Sequence, residues 1–198
     1  MLTVITAATD RKLTTLDAVK AELEIADGAD DTYLDGLILQ VSAAIEKWCC
    51  RPLVADTVRE VFHPVSPASP LILARYPIVN IVSVTIEGSA LPADHYEADA
   101  EAGFLYRLMA AGLRCGWPLG RAVVDYVAGF PVPSGVPADL QRAATLAVRN
   151  AYVTRGRDTT VKSEDVDGVS SFSYRFVASL PSDVVELMAP YRAPTTIV

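Results

Sequence analysis

The residues that most often carry chemistry are few in this sequence, and their spacing gives little support to catalysis. There are two histidines, His63 and His95. Neither has a second histidine one helical turn away, the spacing by which two histidines share one face of a helix in zinc hydrolases. The Gly-x-Ser-x-Gly turn that exposes the nucleophile of many serine hydrolases is also absent from the sequence. We therefore expect both histidines to lie at the surface or at strand ends.

The three cysteines are better explained by packing than by catalysis or cross-linking. Cys49 and Cys50 are adjacent at the end of a predicted amphipathic helix, and Cys115 lies in a predicted turn. None of them falls in a known catalytic signature, and an odd count disfavours a disulfide framework. Free thiols suit synthesis in a reducing cytoplasm.

Cofactor sites are not indicated by the sequence. The segment Asp165-Val166-Asp167-Gly168 begins like a calcium loop, but the later ligands and the closing glutamate of an EF-hand are missing. The glycines are spread over predicted turns and never form a nucleotide-binding fingerprint. We therefore predict a protein that is not an enzyme and that has no catalytic residue, metal ion or cofactor.

The composition is typical of a folded protein with no general attraction to polyanions. Of the 198 residues, 51% are hydrophobic and 21% are charged, and the formal net charge is -7. This charge disfavours tight binding to DNA. No apolar run approaches the roughly 20 residues that span a bilayer, and the first residues lack the pattern of a secretion signal. We expect one compact domain without a membrane segment.

Residue spacing divides the chain into five predicted segments. An apolar residue recurs every three or four positions from Leu34 to Trp48, which is the spacing of one helix face, and Arg51-Pro52 ends that helix. Short β-branched and aromatic runs separated by proline and glycine then predict antiparallel strands. The segments are a helical hairpin (14–52), a β region (57–130), a central helix (137–156), an extended loop and strand (157–178), and a C-terminal helix and tail (181–198).

Several short patterns follow one another in a set order along the chain. They are Leu16-x-x-Val19-Lys20-x-x-Leu23-x-Ile25, Asp30-Asp31-x-x-Leu34-x-x-Leu37-Ile38, Ile45-Glu46-Lys47-Trp48-Cys49-Cys50-Arg51-Pro52, Tyr76-Pro77, Tyr96, Gly103-Phe104-Leu105, Val124-Asp125-Tyr126-Val127-Ala128-Gly129-Phe130 and Val136-Pro137-Ala138-Asp139-Leu140. Over about three quarters of the chain, their order and spacing resemble the head-to-tail connector family, the adaptors in the necks of tailed bacteriophages. Cys49-Cys50 departs from the small residue and glycine that relatives often carry before the arginine.

The resemblance implies both a fold and a role. The fold would be α+β but mainly α, a helical bundle with a small antiparallel β-sheet insertion. The role would be that of a structural adaptor in the virion neck, where a ring of typically twelve identical subunits joins the portal protein to the next neck or tail-completion protein. DNA would pass through the channel without specific binding, because a like-charged wall does not hold it. The subunit would be made in the cytoplasm of a host bacterium.

A closed ring requires two different flanks on each subunit that fit each other. We expect these contacts to come from the β region, from the polar stretch 154–171, and from the tail 190–198, which we expect to dock on the portal. The candidate interface residues are Tyr106, Trp117, Arg155, Arg157, Phe172, Tyr174, Tyr191, Arg192, Ile197 and Val198.

Other interpretations of the sequence stay open. The nearest is another neck or tail-completion protein, or the equivalent adaptor of a gene transfer agent. A distant alternative is a small cytoplasmic hydrolase that uses His63 or His95 together with a cysteine or serine. A DNA-binding module is the third, and the negative net charge argues against it.

Overall fold

The structure is a computed structural model that describes residues 1–64, 70–109, 112–155 and 180–193, and the backbone of 163–166 and 170–173. The chain divides into two compact units, and each is made of two separate stretches of sequence. Met1–Arg11 and Pro52–Gly135 form the first, called here the β unit. Lys12–Arg51 and Val136–Val198 form the second, called here the helical unit.

The β unit contains two antiparallel sheets. Its strands are β1 Leu2–Thr6, β2 Asp56–Phe62, β3 Leu71–Ile72, β4 Ile78–Ile86, β5 Ser89–Ala90, β6 Tyr96–Asp99, β7 Phe104–Leu108, β8 Arg114–Cys115 and β9 Ala122–Ala128. The first sheet has the order β1-β2-β9-β4-β5, and the second has the order β3-β7-β6, with β8 also paired to β7.

Strand β9 lies at the centre of the first sheet, and its sequence explains its place. Alternate residues of Ala122–Ala128 are buried, which is the period of a strand with one face against a core. Its buried Tyr126 lies opposite Val58 of β2. Side chains of both sheets form one hydrophobic core. Within it, the indole Nε1 of Trp117 donates a hydrogen bond to the Leu105 carbonyl oxygen at 3.1 Å.

The described part of the helical unit contains four α-helices and a two-stranded ribbon. They are α1 Leu16–Leu23, α2 Asp31–Trp48, α3 Ala138–Thr154, β10 Ser163–Val166, β11 Ser170–Ser173 and α4 Ser182–Met188. Helix α3 contacts each of the other three helices. Its buried Ala143, Ala144 and Ala147 are small enough to let neighbouring helices approach closely. The helix predicted to be central is therefore central in the helical unit.

Two adjacent threonines precede α1, and they have different roles. The Thr15 hydroxyl accepts a hydrogen bond from the Ala18 amide at 3.2 Å and caps the helix. Thr14 is buried instead, and its hydroxyl oxygen lies 2.7 Å from that of Thr145. Either threonine can cap a helix. Thr14 is bonded to the buried Thr145 of α3, so Thr15 is the residue that caps α1.

The two sheets contradict the predicted fold class. A mainly α helical bundle with a small β-sheet insertion is wrong, because the described strands form sheets of five and four strands with a core of their own. The β-branched and aromatic runs within 57–130 that predict strands are present as β2, β4, β7 and β9, but the other strands of the β unit have only two to five residues. Runs this short show no clear two-residue period, so only their pairing partners reveal them.

Ser42 is expected to stabilise the helical unit through one buried hydrogen bond. Its hydroxyl accepts from the Leu13 amide at 3.0 Å, and both residues are buried. Ser42→Ala removes the partner of that amide, which is expected to lower the free energy of unfolding by about 1–3 kcal/mol. Ser83→Ala is the control, because the half-buried Ser83 hydroxyl donates to the Asp125 carboxylate, which keeps its hydrogen bonds from Arg59, so its loss should cost only about 0.5 kcal/mol. Urea unfolding followed by circular dichroism measures both, and equal costs would contradict this account.

Candidate interface surfaces

A cluster around Tyr106 lies on the second sheet of the β unit. The strand register places Tyr106 of β7 opposite Glu97 of β6. The guanidinium carbon of Arg114 on β8 lies 3.6 Å from the centroid of the Tyr106 ring. An ion pair of 3.1 Å joins Arg114 to Glu97. A cation above an aromatic face is attracted by the electrons of the ring, so the three side chains hold one another in a fixed array that is partly exposed.

The hairpin between β7 and β8 ends in exposed apolar side chains. The Met109 amide donates to the Leu113 carbonyl oxygen at 2.9 Å, which holds the two residues opposite each other. More than half of each side chain is exposed. Neighbouring exposed apolar side chains are typical of contact surfaces. This hairpin tip therefore joins the Tyr106 cluster as a candidate contact.

Trp117, the other predicted contact of the β region, lies in the core. Its side chain is 0% exposed, and its indole nitrogen donates a hydrogen bond to the Leu105 carbonyl oxygen. A tryptophan combines a large apolar surface with one donor that must be satisfied when buried. Trp117 therefore contributes to the packing of the β unit, not to its exposed surface.

Arg155 lies at the end of α3 in a cluster with Asp30, Tyr33 and Tyr152. Its guanidinium donates to an Asp30 carboxylate oxygen at 3.1 Å and lies 4.0 Å from the centroid of the Tyr152 ring. The Tyr152 hydroxyl also donates to Asp30, and the hydrogen bonds from Tyr152 and Arg155 lower the pKa of the Asp30 carboxyl. The cluster joins the end of α3 to the start of α2. Arg155 would have to share or exchange these partners to contact another subunit.

The first part of the tail is held against the rest of the helical unit at three points. The Tyr191 hydroxyl donates to an Asp139 carboxylate oxygen at 2.5 Å. The guanidinium carbon of Arg192 lies 5.2 Å from the centroid of a Trp48 ring, and the Ala193 amide donates to the Cys49 carbonyl oxygen at 2.8 Å. Burial, followed by the bond to Asp139, raises the pKa of the Tyr191 phenol. Ala193 therefore lies beside the end of α2.

The other predicted interface residues have no described side chains. Arg157, Tyr174, Ile197 and Val198 lie outside the described residues. Phe172 belongs to β11, where its backbone lies opposite Glu164 of β10. Their contacts stay predictions.

The groups that the sequence suggested for catalysis are spread over the fold. His63 follows β2 and is exposed, whereas His95 ends a short 3-10 helix, Ala93–His95. Burial raises the pKa of the Cys49 thiol to about 11, so this thiol is protonated near neutral pH and is a poor nucleophile. Within the described ranges, no group of three or more His, Cys, Asp or Glu side chains could hold a metal ion, and no helix is long and apolar enough to cross a membrane.

The sequence matches no protein-family model and no curated protein, but the fold matches chains of solved particle structures. A chain from the neck of an empty gene transfer agent (GTA) particle with C6 symmetry is 19% identical and superposes with a TM-score of 0.63, covering 98% of this chain and 96% of that chain. The chain thus has a GTA neck-chain fold. A chain from the virion of the native GTA particle gives a TM-score of 0.62 at 19% identity, with the same two coverages. A chain from the native GTA neck with C12 symmetry gives 0.55 at 20% identity, again covering 98% and 96%.

Within this neck-chain fold, one candidate surface was missed from the sequence. Exposed valine or isoleucine side chains lie on β1, at one edge of the five-stranded sheet, and on the part of β4 that β5 does not cover, at the other. The run Leu2-Thr3-Val4-Ile5-Thr6 is rich in β-branched residues, a signal that could have identified β1 as a strand. Its position at an edge depends on pairing with β2, far along the chain, and no local pattern reports that.

Proposed function

We propose that this chain is a structural subunit of the neck of a tailed phage or of a gene transfer agent, assembled as a closed ring that joins head to tail. The observation that supports this is the extent of the fold similarity, which covers 98% of this chain and 96% of a GTA neck chain. Both units of the chain are therefore included. A likeness to one common motif would not extend over both.

The ring proposal is supported by the symmetry of the similar structures. They are necks with C6 and C12 symmetry, and twelve subunits are compatible with both. Neighbouring subunits in a ring meet through two different flanks. We propose that the ring contacts the portal on one side and the next neck or tail-completion protein on the other. The net charge of -7 suits a channel that DNA traverses without being held.

The exposed contacts described above are proposed to serve this assembly. The hairpin tip of Met109 and Leu113, with Tyr106 beside it, is a candidate for contact with another subunit or with the next ring. The tail 190–198 is a candidate for docking on the portal. Arg155, Arg157, Phe172, Tyr174, Arg192, Ile197 and Val198 stay within the proposed contact set.

Deletion of the coding sequence from the particle-producing genome tests the proposal. We expect heads and tails to form but to remain unjoined, because the neck would lack one ring. Supplying the intact chain from a plasmid should restore whole particles, counted by electron microscopy. Whole particles formed at the normal rate without the chain would contradict the proposed role.

A matched variant separates the structural role from the hydrolase alternative. His63→Ala combined with His95→Ala removes both histidines that such an enzyme would need as a general base. We expect this double variant to restore whole particles as well as the unaltered chain does. If instead the variant is incorporated into particles normally but the particles are inactive, a histidine-dependent activity would have to be added to the account.

A further inference from the structure

Strand β1 forms one edge of the five-stranded sheet, and part of β4 forms the other. Strand β5 pairs only with Thr85 and Ile86 of β4. The Leu91 amide donates to the Val84 carbonyl oxygen, and the Ile78 amide donates to the Ala100 carbonyl oxygen, each at 2.8 Å. The stretch 79–83 between these bonds is not paired on its outer side by any strand of the described chain, and neither is β1.

Two of the features that keep sheet edges apart are missing from these edges. Neither β1 nor 79–83 contains a charged residue or a proline, which are two of the means by which an exposed edge avoids pairing with another chain. Each edge instead presents two apolar side chains that are 41–56% exposed in the isolated subunit. They are Val4 and Ile5 on β1, and Val79 and Val82 on β4.

Three of these four side chains stand at irregularities of the strands. Val4 and Thr6 of β1 lie opposite Val58 and Thr57, which are adjacent residues of β2. Ile5 is therefore an extra residue on β1. Val79 and Val82 are extra residues on β4 in the same way. An extra residue changes the direction in which a strand presents its side chains. Each of the three extra residues, Ile5, Val79 and Val82, is a valine or isoleucine at an edge of the sheet.

The directions of the two edge strands fit each other. Each neighbouring pair from β1 through β2 and β9 to β4 is antiparallel, so β1 and β4 run in opposite directions. A second copy that keeps the same orientation and is placed beside the first therefore brings its β1 antiparallel to β4. The lengths also agree, because β1 has 5 residues and the open stretch runs from 79 to 83.

We infer that β1 of one subunit pairs antiparallel with residues 79–83 of the next subunit, so that the five-stranded sheet continues from copy to copy. This inference rests on the proposed function, because a head-to-tail contact that repeats must close into a ring or extend without limit. Main-chain hydrogen bonds join the two edges. The exposed side chains of Val4, Ile5, Val79 and Val82 are then covered by the neighbouring copy.

Cysteine cross-linking in assembled particles tests the inference. Cys50→Ser and Cys115→Ser first remove the native thiols that are not fully buried. Val4→Cys and Val82→Cys are then introduced together, and purified particles are treated with a short bismaleimide and separated on a denaturing gel. We expect a ladder from two subunits up to the full ring. Particles that contain a mixture of two chains, each with one of these cysteines, should give cross-linked dimers and no longer species.

Two controls make the result specific. A chain with either cysteine alone should run as a monomer on the gel, because β1 contacts residues 79–83 of the neighbouring subunit and does not contact another β1. The pair Val4→Cys with Val153→Cys uses an equally exposed valine of the helical unit and should also give no ladder. Cross-linked dimers from either single variant would overturn the pairing, because they would require a two-fold contact.

The failure of this inference can be distinguished from the failure of the proposed function. If the variants enter particles that have joined heads and tails but the double variant gives no ladder, edge pairing is wrong and the neck role stands. If the unaltered chain is absent from purified particles, the neck role is wrong and the edge pairing fails with it. Incorporation into joined particles also establishes that each variant folds.

Discussion

Replacement of Gly129 by alanine is expected to lower the free energy of unfolding by about 3–5 kcal/mol. Gly129 follows β9 with φ +119°, a conformation that residues with a Cβ rarely adopt. A Cβ at this position would lie 2.6 Å from the carbonyl carbon and oxygen of Val54 and 2.7 Å from the Ala55 nitrogen. These are backbone atoms, so a change of side-chain rotamer cannot relieve the contact. Urea unfolding of the purified variant measures the loss.

Gly36→Ala is the matched control for this substitution. Gly36 lies within α2, has an ordinary backbone conformation, and has no other atom within 4 Å of the added Cβ. Alanine is favoured over glycine inside a helix by about 1 kcal/mol, so this variant is expected to be slightly more stable than the unaltered chain. Equal destabilisation by the two substitutions would show that the close approach of Val54 to Gly129 is not the cause.

The second large effect is expected from Asp56→Asn. The Asp56 side chain is 4% exposed and lies 2.8 Å from an Arg75 nitrogen and 3.1 Å from an Arg11 nitrogen. It also accepts from the Ala8 amide at 2.8 Å. Removing the negative charge leaves two arginines beside a neutral amide, and breaking a buried ion pair on one side costs about 3–5 kcal/mol. The free energy of unfolding at neutral pH should fall by roughly that amount.

The pH dependence of this effect follows from the pKa of Asp56. Burial raises the pKa of its carboxyl, but the Ala8 amide and the two arginines together lower it more, so the net pKa lies below the ordinary value. A carboxylate whose folded-state pKa is lowered stabilises the fold above its unfolded pKa and loses that contribution as the pH falls through the folded one. The difference between the unaltered chain and Asp56→Asn should therefore shrink on acidification.

Asp125→Asn provides the comparison in the same sheet. Asp125 pairs with Arg59 at 2.7 Å, but the Arg59 side chain is about half exposed. Solvent screens such a pair, so its loss is expected to cost about 1 kcal/mol or less. If Asp125→Asn destabilises as much as Asp56→Asn, or if the Asp56→Asn difference does not change with pH, burial of the ion pair does not determine its effect.

The sequence predicts long periodic elements well and short paired ones poorly. The apolar stripe of α2 and the β-branched and aromatic run of β9 are local patterns, and the structure contains both elements. β3, β5 and β8 have two residues each, and such strands exist only because a partner strand satisfies their backbone groups. Because most of the missed strands belong to the β unit, the sequence suggested an inserted sheet where the structure has a unit with its own core.

The candidate contacts illustrate the same limit at the level of single side chains. Trp117 belongs to the predicted contact set, but the β unit buries it in its core. Arg155 belongs to the same set, yet its partner Asp30 lies directly before α2 in the same unit. A sequence gives the chemistry of a side chain without the distance to its partner. The exposed edges of the first sheet are visible only once the strand order is known.

Cryo-electron microscopy of the neck in purified particles is the most direct test of whether this chain is a neck subunit. We expect a closed ring of this chain between the head and the tail, with the helical and β units fitting repeated density around the channel. If the neck is resolved and every ring in it is accounted for by other proteins, this chain is not a neck subunit and the proposed function is wrong.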